Sequence, residues 1–190
     1  MKALFSRAPV LATVLLLGIW GNVHAAPYTT LDGAASGVSF GYSQMNVKMG
    51  GSFGELRATE FHFDPAQPEA AKVSIEIKMS SVDAGYAEAN TELAKDDWLA
   101  WRAHPIATFS SNRVDVLDAN SYQVTGSLTI KGVTKEVSAP FTFKEDGDTG
   151  VFEGSFSFQR ADFGIGEGQW KDFGIVANVI TVTFKIVAKS

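Results

Sequence analysis

The sequence predicts an all-β fold of about eight antiparallel strands with one short helical insert, at about residues 86–103. Three observations point there. Apolar and polar residues alternate with period two through most of the chain. Turn signals separate the alternating segments, and short links join antiparallel neighbours. Only residues 84–104 break the pattern. The 190 residues include no cysteine, which excludes a disulfide framework, thiolate metal sites and c-type haem attachment.

Residues 1–25 read as a removable signal peptide. Lys2 and Arg7 supply a positive start, and Val10 to Trp20 an apolar run of 11 residues. That run is too short to span a bilayer, and Val23-His24-Ala25 offers a cleavage site. The mature chain is then 26–190, one domain at this size, with a periplasmic location expected. Its 14 basic and 21 acidic side chains are interspersed and leave a net charge of −7. This balance disfavours nucleic acid and anionic membrane surfaces as main partners.

The strands follow in order. Val38, Phe40 and Tyr42 share one face against Ser39, Gly41 and Ser43. Segments 51–63 and 106–117 are strand-like. Val73, Ile75, Ile77 and Met79 oppose Lys72, Ser74, Glu76 and Lys78. Tyr122, Val124, Leu128 and Ile130 form the next apolar face, then Val137, Ala139, Phe141 and Phe143. Phe152, Phe156 and Phe158 oppose Glu153, Ser155 and Ser157, and Ile180, Val182, Phe184 and Ile186 close the chain. Asp64-Pro65, Asp118-Ala119-Asn120, Lys131-Gly132 and Asp146-Gly147 are the turns. Ala87 to Trp101 lacks Gly and Pro and favours one or two short helices, ended by Pro105.

Eight one-sided strands can bury their apolar faces as a two-sheet sandwich or as a curled barrel. The last strand, read as Phe173 to Ala188, favours the barrel. At ~3.3 Å per residue it would span about 50 Å, more than a compact sandwich needs. The residues alone favour a filled interior, since packed cores are the rule.

Chemistry-bearing clusters are sparse. His62 and His104 are the only imidazoles after residue 25. His62 lies on the face opposite Phe61 and Phe63, and His104 sits in a turn before Pro105. Glu88 and Glu92 share a helical face and read as an exposed pair. Asp146-Gly147-Asp148-Thr149-Gly150 reads as a hairpin turn rather than a calcium loop. Gly164, Gly166 and Gly168 do not make a phosphate cradle and read as a kinked strand near a rim. Trp98, Trp101 and Trp170 either pack the insert onto the barrel or cap an apolar cavity. No catalytic or metal-binding set is assigned.

Several segments together resemble the YceI-like family. They are Phe63-Asp64-Pro65-Ala66, Val73-Ser74-Ile75-Glu76-Ile77, Ser81-Val82-Asp83, Val124 to Val137, and Arg160-Ala161-Asp162-Phe163-Gly164-Ile165-Gly166. His104-Pro105-Ile106-Ala107-Thr108-Phe109 stands where the family carries Tyr-Pro-x-x-x-Phe. The resemblance covers nearly all of 26–190. It implies a periplasmic lipocalin-like barrel of eight strands holding a polyisoprenoid or related amphiphile along its axis, without catalysis. The tunnel lining it implies is Phe40, Tyr42, Ile75, Ile77 and Phe109 from the first strands. Leu128, Phe141, Phe143, Phe156 and Phe158 follow from the later ones, with Trp98 and Trp170 near the rim.

One departure narrows the resemblance. Typical members carry Arg, Asp and His shortly before a Leu in the insert. Here Ala89, Asn90 and Glu92 stand before Leu93. Glu92-Leu93 with Asp97-Trp98 is similar to a branch found beside cytochrome b561-type domains. That branch implies an isoprenoid quinone as ligand and a b561-type cytochrome as membrane partner, with a homodimer also compatible. Lys48, Arg57, Arg160 and Lys171 are the headgroup candidates. A fatty-acid-derived amphiphile, an interaction module with a filled barrel, and a lipid-modifying enzyme are the competing readings.

Overall fold

A computed structural model describes residues 26–190, and the predicted signal peptide lies outside the described residues. Eleven strands and one α-helix follow in order. They are β1 Thr30–Leu31, β2 Gly37–Gln44, β3 Val47–Phe53, β4 Leu56–His62, β5 Lys72–Lys78, β6 Val82–Asp83, α1 Ala87–Leu93, β7 Ile106–Asp118, β8 Ser121–Ile130, β9 Val133–Asp146, β10 Thr149–Gln159 and β11 Val179–Lys189.

All pairings are antiparallel. The sheet runs β4-β5-β7-β8-β9-β10-β11-β2-β3-β6, with β1 beside β11. Its two ends lie side by side, because β3 leads through Gly54-Glu55 into β4 while β5 leads through a 3-10 turn into β6. The Gly54 N–H donates to the Ser81 carbonyl at 3.1 Å and the Lys78 N–H to the Glu55 carbonyl at 3.0 Å. The sheet is therefore curled, barrel-like, around an apolar interior.

Among the described residues the count is eleven strands where the sequence predicts eight. The segment 51–63 is two strands because the chain kinks at Gly54-Glu55. Two-residue strands at β1 and β6 are too short to show an alternation. The last strand also starts later than expected, at Val179 rather than Phe173. Residues 172–176 are held as turns by the Ile175 and Val176 N–H groups, which both donate to the Asp172 carbonyl. At ~3.3 Å per residue β11 spans only about 36 Å, so the length argument for a barrel fails even though the sheet curls.

Two of the two-residue hairpin turns have left-handed backbone at both positions, a geometry that matches the twist of the flanking strands. Lys131 and Gly132 have φ 51° and 76°, as the sequence signalled. Met45 and Asn46, with φ 49° and 65°, gave no comparable signal. Gly164, Gly166 and Gly168 also sit at positive φ, but in 3-10 turns after β10 rather than in the expected kinked strand.

The interior divides into two clusters. At one end Tyr28, Phe61, Phe63, Tyr122, Phe141, Phe143 and Phe152 pack with Val114, mostly edge to face or tilted, with ring centres 5.0–6.4 Å apart. At the other end Trp98 and Leu99 of the insert pack with Leu128, Phe163, Ile165 and Val176. This end is only partly filled.

Candidate functional site

The interior holds a cavity of about 430 Å³, within the roughly 300–1,000 Å³ of small-molecule sites. Every long strand contributes to its wall. β2 presents Val38, Phe40 and Tyr42, β5 presents Val73, Ile75 and Ile77, and β11 presents Ile180, Val182 and Phe184. Alternation forces this arrangement: residues at i and i+2 share a face, and curling turns that face inward. The aromatic plug forms the floor, with Phe61, Phe63, Phe141 and Phe152 all touching the cavity. The helical insert reaches the other end through Tyr86, Glu88, Ala89, Glu92 and Leu93.

Eleven of the twelve residues proposed from sequence line this cavity: Phe40, Tyr42, Ile75, Ile77, Trp98, Phe109, Leu128, Phe141, Phe156, Phe158 and Trp170. Phe143 does not. It lies two residues further along β9, buried in the plug against Tyr28 at 5.4 Å and Phe63 and Phe152 at 5.0 Å. Period two assigns a face, but it does not say how far along the axis the space ends. The same alternation could have named Val38, Val73, Val124, Val182 and Phe184, which also line the wall.

The mouth differs more from expectation. Glu88 and Glu92 both line it, so they are not simply an exposed surface pair. The Trp170 Nε1–H donates to Glu92 Oε1 at 2.9 Å, and Lys95 pairs with Glu92 Oε2. The bond from Lys95 is the main influence holding the Glu92 carboxyl below its ordinary range, against a smaller opposing effect of desolvation. The Trp98 and Trp170 rings stand 5.5 Å apart, tilted by 58°. These two indoles therefore both pack the insert and bound the cavity. Trp101 packs against the same cluster but does not line the space.

None of the four cationic headgroup candidates lines the cavity. Arg57 lies on the outer face, bonded to Glu76 at 2.5 Å. Lys48 and Lys171 are exposed. Arg160 is fully buried, and its guanidinium spends all five N–H donors on backbone carbonyls. The acceptors are Ala177, Ile165, Gly166, Trp170 and Val176, at 2.7–3.1 Å. Arg160 is a clamp for the loops around the mouth. A single cation in the sequence gives no hint whether it faces a ligand or a backbone.

His62 and His104 do not line the cavity either. Among the described residues no group of three or more His, Cys, Asp or Glu could hold a metal ion. No helix among them is long and apolar enough to cross a membrane.

Comparison with known proteins places these features. Residues 29–188 match the model of the YceI-like domain. A UPF0312 protein of Azotobacter vinelandii is 32% identical over 179 residues, covering 90% of both chains. BcnA of Burkholderia cenocepacia superposes with a TM-score of 0.81 at 37% identity, over 84% of this chain and 99% of that one. A polyisoprenoid binding domain of Saccharophagus degradans, implicated in plant cell wall breakdown, shares the fold at a TM-score of 0.66 and 16% identity. It aligns over 87% of this chain and 99% of its own.

Proposed function

The chain belongs to the YceI-like family, and from that premise we propose that it is a periplasmic carrier that sequesters a long-chain isoprenoid lipid and catalyses no reaction. One observation carries the reading: an apolar cavity walled by every long strand, floored by an aromatic plug and reached past the insert. A fold neighbour described as a polyisoprenoid binding domain supports the ligand class.

The driving force is burial. Moving an isoprenoid tail from water into walls of Phe, Ile and Val gains about 0.8 kcal/mol per methylene equivalent. About ten such units are worth on the order of 8 kcal/mol before the costs of association. Apolar walls distinguish methylenes poorly, so specificity falls to tunnel length and to the mouth. Within the class we favour an isoprenoid quinone and a b561-type cytochrome as membrane partner, on the resemblance of Glu92-Leu93 and Asp97-Trp98 to that branch.

Mass spectrometry of an organic extract tests this. The mature protein is exported to the periplasm and purified without detergent. A stoichiometric polyprenyl compound or quinone is the expected result. A fatty-acid amphiphile would replace the ligand class. A clean extract that stays clean after incubation with polyprenyl lipids would overturn the carrier reading.

A further inference from the structure

The cavity wall carries only two charged side chains, Glu88 and Glu92, and no Lys, Arg or His. The buried cation nearby has no capacity left, since each Arg160 N–H already has a carbonyl. Lys95 is paired with Glu92 and lies outside the lining. An anionic headgroup entering here would meet two wall carboxylates, while the positive charges beside it are already engaged, Lys95 with Glu92 and Arg160 with backbone carbonyls. Like charges brought together away from water repel strongly.

One donor in the same place lacks a partner. Trp98 is 8% exposed and lines the cavity, and its Nε1 is the one buried side-chain polar atom among the described residues without a hydrogen bond. Its N–H stands near enough to the Glu92 carboxylate to help hold that carboxyl below its ordinary range, yet it makes no hydrogen bond of ordinary geometry, whereas Trp170 makes one to Glu92 at 2.9 Å. A buried N–H left unpaired costs free energy, and a group that satisfies it recovers that cost. The Glu92 carboxylate keeps free lone pairs beyond those used by Trp170 and Lys95.

We infer that the mouth takes a neutral hydroxyl headgroup, which accepts from Trp98 Nε1–H and donates to the Glu92 carboxylate, and that it rejects phosphate and carboxylate headgroups. This rests on the carrier reading and deepens it: within the quinone class it selects the reduced hydroquinone, because the carbonyls of the oxidised quinone only accept and cannot donate to Glu92. A hydroxyl both accepts and donates, which is what an orphan N–H beside a carboxylate complements. An ether can only accept, so it satisfies Trp98 and leaves Glu92 unanswered. A phosphate adds charge where the wall is already negative.

The test uses delipidated protein and four probes with one geranylgeranyl tail: the alcohol, its methyl ether, its phosphate, and the hydrocarbon without a headgroup. Titration calorimetry reports affinity, and the indole N–H resonance of Trp98, assigned by its loss in Trp98→Phe, reports the contact. The alcohol should bind about fivefold or more tightly than the ether and the phosphate, the worth of one or two hydrogen bonds. It should also shift the Trp98 resonance, and the hydrocarbon should not. Trp98→Phe should remove most of the alcohol's advantage and leave the hydrocarbon affinity nearly unchanged. Equal or tighter binding of the phosphate overturns the inference, and so does a Trp98→Phe loss shared by alcohol and hydrocarbon. If that variant does not fold, Glu92→Gln should narrow the gap between alcohol and phosphate, and an unchanged gap overturns the inference. Failure of the hydrocarbon and every other probe to bind refutes the carrier reading itself, and the headgroup inference with it.

Discussion

Arg160 Nη2 donates to the carbonyl of Val176 at 2.8 Å, which ties the turn leaving β10 to the loop entering β11. The same guanidinium reaches back to Ile165 and Gly166, also at 2.8 Å. Glycine at 166 is required for this. A Cβ there would lie 2.0 Å from Arg160 Nη1, and the backbone is left-handed at φ 74°. The Arg-x-x-x-x-x-Gly spacing thus folds one buried cation under its own following turn. Burial pushes the guanidinium pKa down, yet the group keeps its charge at neutral pH.

Replacing Arg160 should therefore damage stability before it damages binding chemistry. Arg160→Met removes five donors at once and strands buried carbonyls. Hydrogen bonds to a charged group are worth about 1.5–3 kcal/mol each, and they do not add fully. A loss of about 3–5 kcal/mol is expected for breaking such a buried network. Arg160→Lys, with three donors and no planar fork, should recover only part. Urea unfolding monitored by tryptophan fluorescence measures both. A loss below about 1 kcal/mol for Arg160→Met, the worth of a single ordinary hydrogen bond, would contradict the clamp.

The wall was legible in the sequence and the mouth was not, for physical reasons. Alternation alone places Phe40, Ile75 and Phe156 on an inward face, because a strand has only two faces. It also places Phe143 there correctly, yet Phe143 packs in the plug. Position along the axis depends on the stagger of neighbouring strands, which no single segment encodes. Glu92 and Trp170 are 78 residues apart and meet only because the insert folds across to the turn after β10. Arg160 was misread as a headgroup candidate because its partners are backbone carbonyls, which carry no sequence signature.

Phe141 and Phe156 both touch the cavity, but they should respond differently to truncation. Phe141 is 8% exposed and stacks on Tyr122 with ring centres 5.2 Å apart. Phe156 is half-buried on the cavity wall. Phe141→Ala should cost about 3–5 kcal/mol, as for a large core deletion. Phe156→Ala should cost the empty protein less, under about 2 kcal/mol, since its ring already borders open space. Chemical denaturation of the delipidated variants gives the two costs, and lipid recovered on purification gives retention. Equal losses of stability would mean that the cavity is closed in solution.

Three inward rings lie across glycines of neighbouring strands. A Cβ would come within 2.6 Å of the ring at each: Phe40 over Gly51, Phe109 over Gly126 and Phe184 over Gly154. Phe40 and Gly51 are direct partners in register, as are Phe184 and Gly154. The missing side chain lets each ring lie flat along the wall rather than stand across the cavity. At Gly154 a Cβ would also come 2.4 Å from the Pro140 carbonyl oxygen, which is backbone and cannot rotate away. Gly154→Ala should cost about 1–3 kcal/mol, the usual penalty of overpacking. A thermal melt of the variant at matched concentration reads this as a lowered Tm, and an unchanged Tm would show that the sheet opens to accommodate the methyl.

Alkaline conditions should loosen the plug through Tyr28. Its side chain is 1% exposed, with the ring edge-on to Phe143 and Phe152. Desolvation, and then the nearby Glu145 and Asp148, raise its pKa above the ordinary tyrosine value. The folded state thus holds this proton more tightly than the unfolded chain does. Between the two pKa values the unfolded state has already released it, so unfolding is favoured as pH rises. Tyr28 contributes full stability below the unfolded value near 10 and loses it as pH climbs through the raised folded value. Urea midpoints across the alkaline range should fall, and Tyr28→Phe should flatten that fall while changing the neutral-pH midpoint little. A fall of the same depth in Tyr28→Phe would remove Tyr28 as its source and make Tyr42→Phe the next variant to measure, since desolvation also raises that cavity tyrosine.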